Sequence, residues 1–363
     1  MNPYSGAKVL FHGKRLEALR YGSQPNPTHV QLILSDLCNH DCSFCAYRMS
    51  GYTSNQLFGV RREDGSINNN PNRMIETPKA MEILDSCERM GVRAIQFTGG
   101  GEPTVHPDHI EIFNKALTLN MQCALVSNGN RFMIGWQDVL PYFSWLRISV
   151  DAGNARTYAR VRRVKETSFG KVWANIEALR REIDAHITPA VLGVGFVVTR
   201  QNYREIYECA RLAKESGAHN IRIGAMFSQH GAAYYDGLQK KIREVEDKTK
   251  ELNGDGFQVF DLFGQRMDDL FQGAPDYEMC GFQHFTTYIG ADLNVYRCCN
   301  TAYNERGLVG SLEKQTFEEM WASHQKRQAF ETFDARGCER CQFNHINRTI
   351  IAATQAPTHV DFV

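Results

Sequence analysis

From residue 29 to residue 225 short apolar runs alternate with amphipathic segments, and this alternation limits the fold more than any other feature of the chain. Strands separated by helix-length segments pair in parallel, because each crossover carries the chain back to the same end of the sheet. Six runs read as strands, at 30–34, 94–97, 124–126, 146–150, 191–198 and 220–223. Between them, 78–90, 108–119, 171–183 and 203–216 repeat apolar residues at spacings of three and four, the period of a helix with one buried face. Pro78 suits a first helical turn, and Gly91 and Gly217 suit helix stops. The class is α/β, and active sites in such sheets gather at the C-terminal ends of the strands.

After residue 230 the character changes. A charged helical run at 238–253 leads into short strands at 257–260, 286–289 and 294–297 and a helix at 316–325. The expected organisation is an N-terminal extension over 1–28, a larger unit over 29–230 and a small α+β unit over 231–363. Residues 50–74, including Arg61 and Arg62, show no periodicity and read as a loop, either for substrate recognition or as a solvated insertion.

Charge and hydropathy remove several partners. Forty-one basic residues balance forty-one acidic ones, so no bulk attraction to nucleic acid or an anionic membrane is expected. The longest apolar stretch, 191–198, contains two glycines and is far short of the roughly 20 residues that span a bilayer. Charges scattered through the first residues leave no continuous apolar core for a secretory signal, so a cytoplasmic location is expected.

Eleven cysteines in such a compartment point to metal or redox chemistry, since an odd number of thiols in a reducing environment makes a poor disulfide framework. Cys87, Cys123 and Cys209 stand alone in apolar or helical surroundings and read as small buried hydrophobes. Cys38, Cys42 and Cys45 fall within eight residues, directly after the first strand. Three thiolates so spaced can wrap a cubic iron–sulfur cluster and leave one iron open, whereas structural zinc takes four closed ligands. Other polar motifs also follow strands: Thr98-Gly-Gly-Gly-Glu102-Pro103, then Ser127 with Asn128, then Ser149 with Asp151. Consecutive glycines let backbone carbonyls approach a ligand, and a carboxylate beside them suits a cationic group.

The Cys-x3-Cys-x2-Cys pattern, with Phe44 before its last cysteine, resembles the signature of the radical S-adenosylmethionine superfamily. The resemblance implies a partial (β/α)6 TIM-like barrel in which Cys38, Cys42 and Cys45 hold a [4Fe–4S] cluster. Its open iron would take the amino and carboxylate groups of S-adenosylmethionine, with Phe44 near the adenine. Gly100, Gly101 and Glu102 would hold the methionine amino group, and Ser127, Asn128, Ser149 and Asp151 the ribose and carboxylate. Arg162 is the candidate carboxylate ligand, with Arg160 and Arg163 as neighbouring registers. Reductive cleavage by a flavodoxin- or ferredoxin-type donor would release a 5′-deoxyadenosyl radical able to take hydrogen from an unactivated C–H bond.

Cys280, Cys298, Cys338 and Cys341 supply four more thiolates, enough for a second cluster or for zinc. Their setting resembles the SPASM and twitch domains of the same superfamily, which implies one auxiliary [4Fe–4S] cluster. Cys298 is favoured over Cys299 as ligand, which leaves Cys299 either a buried neighbour or a thiol that donates hydrogen to a substrate radical. His284 and His345 read as structural, with an acid–base role as the alternative. The leading expectation is oxidation or epimerisation of a small molecule such as a sugar, aminoglycoside or alcohol, because residues 1–28 are few for the peptide-recognition domain of many relatives. The alternative is a maturase that crosslinks, epimerises or joins a thioether in a peptide or protein. A non-catalytic iron–sulfur electron carrier ranks last, since it needs no glycine–glutamate element.

Overall fold

The computed structural model describes residues 3–47, 73–119, 121–228 and 230–355. The loop expected at 50–74, with Arg61 and Arg62, lies outside the described residues except for its last two.

One ten-stranded sheet organises the chain, built from β1 (His29–Leu32), β2 (Ala94–Phe97), β3 (Gln122–Ser127), β4 (Trp145–Ser149), β5 (Val191–Val198), β6 (Asn220–Ala225), β7 (Gln258–Asp261), β8 (Thr286–Ile289), β9 (Asn294–Tyr296) and β10 (Leu308–Ser311). Its order is β10-β9-β8-β1-β2-β3-β4-β5-β6-β7. From β1 to β7 every neighbour is parallel, the right outcome for strands joined by helical crossovers.

The six expected strands are all present, and helices at Thr77–Arg89, His109–Thr118, Thr167–Ala185 and Ile206–Glu215 match the amphipathic segments. Gly91 and Gly217 follow their helices at φ of 74° and 80°, the left-handed conformation that glycine adopts without strain. A seventh parallel strand, β7, extends the sheet beyond the six. It follows the charged helix Gln239–Lys250, which buries only a narrow stripe that includes Ile242, Glu246 and Thr249. That stripe is too polar to announce a barrel helix.

The opposite edge carries the second difference. β8 pairs in parallel with β1, His29 opposite Thr286, so the C-terminal hairpin β8–β9 extends the same sheet. The sequence showed the hairpin but not its neighbour, because nothing local specifies a pairing between residues more than 250 positions apart. The expected helix at 316–325 is two helices, Phe317–Ala322 and His324–Glu331, broken at Ser323, whose extended backbone ends the first and caps the second. The N-terminal helix Gly13–Arg20 packs on the C-terminal helix Asn344–Thr354 through Val9, Leu16, Leu19, Phe285 and Ile350. No described helix is long and apolar enough to cross a membrane.

Candidate functional site

The C-terminal ends of β1 to β5 open on a cleft of about 330 Å³. Cys38, Cys42, Cys45, Phe44, Gly100, Gly101, Glu102, Ser127, Asn128, Ser149 and Arg162 all line it, so residues spread over more than 120 positions converge. Val126, Val197, Met226 and Phe227 make an apolar wall.

Close backbone packing sets the cysteine loop. A Cβ on Gly101 would stand 2.3 Å from the Leu37 carbonyl oxygen and 2.5 Å from the Asp36 carbonyl carbon, so only glycine lets the two segments lie together. The Glu102 N–H donates to the Leu37 carbonyl at 3.0 Å. At the other side the helix Ala155–Arg162 ends against the loop, and its Arg162 and Val161 carbonyls accept from the Asp41 and Ser43 N–H groups. These contacts give orphan helix-terminal carbonyls a partner and hold the thiols at the mouth of the sheet.

Glu102 is 2% exposed, and burial pushes its pKa up against the donors that surround it. Ser127 Oγ donates to one carboxylate oxygen at 2.8 Å and the Asn128 N–H to the other at 2.7 Å. Thr104 adds its N–H and hydroxyl. Asn128 also reaches the loop, its amide donating to Asn39 Oδ1 at 2.6 Å. Ser127 and Asn128 therefore fix the direction of the Glu102 carboxylate.

Three arginines competed for one position in the sequence, and the structure separates them. Arg160 donates to the Gln201 carbonyl and Arg163 pairs with Asp41 on the surface. Arg162 alone lines the cleft, 3.5 Å from Cys42 Sγ and with its guanidinium 5.6 Å from the Phe44 ring centroid. Asp151 differs from expectation: it does not line the cleft. It sits behind it, buried, paired with Arg162 and accepting from the Val197 N–H at 2.6 Å. The left-handed turn at Asp151, φ 63°, carries its carboxylate inward, a conformation the sequence did not signal.

The four remaining cysteines named as ligands, Cys280, Cys298, Cys338 and Cys341, line a second cavity together with Arg297 and Tyr277. Cys299 is outside it. Its sulfur accepts from Gln342 Nε2 at 3.3 Å, and burial followed by the neighbouring Cys298 pushes the thiol up to about 12. Burial and mutual repulsion raise Cys280, and the same causes, with partial relief from hydrogen bonds, hold Cys341 at about 12.

Both thiol groups suit iron–sulfur clusters. In the second cavity, where burial and neighbouring sulfurs disfavour the thiolates of Cys280 and Cys341, a cationic centre would relieve that cost by binding them as thiolates. Hydrogen bonds already point at the sulfurs: His40 N–H to Cys38 Sγ at 3.4 Å, and Phe343 N–H to Cys341 Sγ at 3.3 Å, the contacts that tune such clusters. Among the described residues no three Cys, His, Asp or Glu side chains close on a point as around a single ion. Cys38, Cys42 and Cys45 line one cavity, and Cys280, Cys298, Cys338 and Cys341 the other.

Neither histidine joins a cavity wall as an acid–base group. His284 is buried edge-on to Phe330, and burial beside Lys326 and Arg297 lowers it to about 3. Burial also lowers His345. Cys87, Cys123 and Cys209 are buried, with burial raising all three thiols. Sequence reasoning missed Asp36 and Tyr303, which join the two thiol-bearing regions, because neither lies in a motif.

Comparison with known proteins agrees with this geometry. A model of the radical SAM superfamily matches residues 32–213, and one of an iron–sulfur cluster-binding domain, SPASM, matches residues 280–342. The chain is 29% identical to the mycofactocin maturase MftC of Mycolicibacterium smegmatis over 282 residues, covering 74% of this chain and 68% of that one. It is 25% identical to the PqqA peptide cyclase of Gluconobacter oxydans over 184 residues, half of this chain and 49% of that one. Streptococcus suis SuiB bound to its precursor peptide SuiA superposes with a TM-score of 0.61 at 13% identity, over 92% of this chain and 73% of that one, a likeness of fold.

Proposed function

Because the chain belongs to the radical S-adenosylmethionine superfamily, with a C-terminal SPASM domain and resident cofactor-binding and auxiliary [4Fe–4S] clusters, we propose that it is a maturase acting on a C–H bond of a peptide. The likeness to a mycofactocin maturase over 74% of the chain carries this reading. A second peptide-modifying relative, the PqqA peptide cyclase, supports it. Together they favour a peptide over the small molecule that led the expectation from sequence.

In this reading Cys38, Cys42 and Cys45 hold the first cluster, and Cys280, Cys298, Cys338 and Cys341 the auxiliary one. With S-adenosylmethionine and an electron from a flavodoxin- or ferredoxin-type donor, the bound first cluster supplies a 5′-deoxyadenosyl radical. The chain's own side chains bind and orient. The Gly100–Gly101 backbone and the Glu102 carboxylate receive an ammonium group, with Ser127 and Asn128 holding that carboxylate in place. Phe44 and Ser149, which both line the cleft, would contact the nucleoside. Arg162 takes a carboxylate, and Asp151 is a positioning residue that holds its guanidinium. Val126, Val197, Met226 and Phe227 keep water from the reacting carbon. Cys299, which lies outside the second cavity, is the thiol left over to pass on a hydrogen atom.

Anaerobically reconstituted enzyme, S-adenosylmethionine and a reductant are mixed in turn with peptides translated from short open reading frames near its gene, and the products are read by mass spectrometry. 5′-Deoxyadenosine with a changed peptide mass is expected. An unchanged peptide, with turnover of a small alcohol or sugar instead, refutes the reading.

A further inference from the structure

Below the cleft the sheet carries two cationic side chains that, among the described residues, form no ion pair with a carboxylate. Side chains alternate faces along a strand, so Arg147 and Ser149 of β4, Gly195 and Val197 of β5, and Arg222 and Gly224 of β6 share one face. The register sets Ser149 opposite Gly195, Gly195 opposite Arg222, and Val197 opposite Gly224. Ser149 and Val197 line the cleft, so Arg147 and Arg222 lie about one same-face step deeper, roughly 7 Å along the strands.

Glycine makes room there. A Cβ on Gly195 would stand 3.4 Å from Arg147 Cδ, so the arginine lies across β5 where a larger residue would block it. A Cβ on Gly224 would meet nothing within 4 Å, which leaves open space beside Arg222.

Among the described residues neither guanidinium has a hydrogen-bond acceptor or an ion pair. Each meets only an aromatic face, Arg147 that of Trp145 at 5.6 Å and Arg222 that of Tyr4 at 5.3 Å. Arg222 Nε is buried and unbonded. The two charges feel each other: burial, then Arg147 and Arg266, lower Arg222 to about 9. Asp151, whose carboxylate Arg147 also influences, is already taken by Arg162 and the Val197 N–H. Both arginines are half-buried, and a planar guanidinium drawn partly out of water is best satisfied by a carboxylate.

We propose that Arg147 and Arg222 form a carboxylate subsite at the floor of the substrate chamber, which holds either an acidic side chain or the C-terminal carboxylate of the peptide. The word peptide rests on the functional reading above; the carboxylate specificity does not. Seated there, the carboxylate places carbons a few bonds away at the level of Ser149 and Val197, where the cleft begins.

Calorimetric titration of the holoenzyme with S-adenosylmethionine bound tests this, using N-acetylglutamate α-amide, N-acetylglycine and the neutral N-acetylglutamine amide as probes. At least one acid binds about tenfold or more tighter than the neutral amide. The acid that binds identifies the source, side chain or terminus. Arg147→Gln and Arg222→Gln each weaken that acid by about tenfold or more, and Arg222→Lys by less. Equal binding of acid and amide, binding by neither, or variants that keep the full affinity for the acid overturns the proposal. The comparison on the unaltered protein needs no variant to fold. It also needs no peptide turnover, so it stands or falls apart from the maturase reading.

Discussion

Tyr303 donates its hydroxyl proton to the buried carboxylate of Asp36, joining the segment that follows Cys298 to the segment that precedes Cys38. Arg73 pairs with the other oxygen of Asp36 at 2.7 Å, and Tyr47, Tyr288 and Tyr296 pack around the Tyr303 ring. The two thiol-bearing regions are thus fixed to each other by a buried polar contact as well as by the β1–β8 pairing.

Removing the hydroxyl leaves a buried carboxylate oxygen short of a donor. Tyr303→Phe is expected to cost about 1–3 kcal/mol, seen as a lower midpoint in chemical denaturation. A variant as stable as the parent contradicts a structural role for the contact.

Glu102 is proposed above to receive an ammonium group on its carboxylate. Glu102→Gln keeps the shape and loses the charge, so affinity for S-adenosylmethionine is expected to fall about 10- to 100-fold by equilibrium binding, the worth of a charge-assisted hydrogen bond. Unchanged affinity removes Glu102 from the ammonium site.

The Asp151–Arg162 pair is almost fully buried, with side-chain exposures of 1% and 6%. Asp151→Ala leaves a buried guanidinium uncompensated and is expected to cost about 3–5 kcal/mol in denaturant. Asp151→Ala combined with Arg162→Met should recover part of that loss, and additive losses would argue against the pairing.

Cys298 and Cys299 are adjacent, but Cys298 lines the second cavity and Cys299 does not. In a background where Cys38, Cys42 and Cys45 are alanine, Cys299→Ser should retain about four irons per chain and Cys298→Ser should lose them, as read by iron assay and electron paramagnetic resonance. The reverse pattern exchanges the two assignments.

Glu246 gives a pH signature away from both cavities. It is 2% exposed, and burial, reinforced by Asp261, pushes its carboxyl from 4.5 up to about 9. The folded state therefore binds the proton more tightly than the unfolded one. Its contribution is complete below pH 4.5 and is lost as pH rises through about 9. Glu246→Gln should match the parent near pH 4 and exceed it by about 2 kcal/mol or more near pH 8. Parallel stability curves over that range would show a carboxyl with an ordinary pKa.

Much of the cleft lining was readable without coordinates, because each motif follows a strand and strand ends in a parallel sheet share one rim. Gly100, Gly101, Glu102, Ser127, Asn128, Ser149 and the three cysteines arrive together for that reason. Asp151 was misplaced because only its positive φ turns it behind the cleft. The choice among Arg160, Arg162 and Arg163 was equally closed to sequence, since helix phase decides which of three neighbours faces the thiols. The strand at 257–260 was read, but its place as a seventh parallel neighbour was not, because the helix before it shows a polar surface.

Local order therefore came from the sequence: strand and helix periods, cysteine spacing and the glycine run are all properties of short segments. Tertiary structure alone decided the contacts between distant segments. It paired β8 with β1, set Tyr303 on Asp36, put Cys298 but not Cys299 in the auxiliary cavity, and brought Arg147 and Arg222 together across the glycines of β5. Such contacts depend on how buried surfaces and charges are satisfied in three dimensions, and no short stretch of chain carries that information.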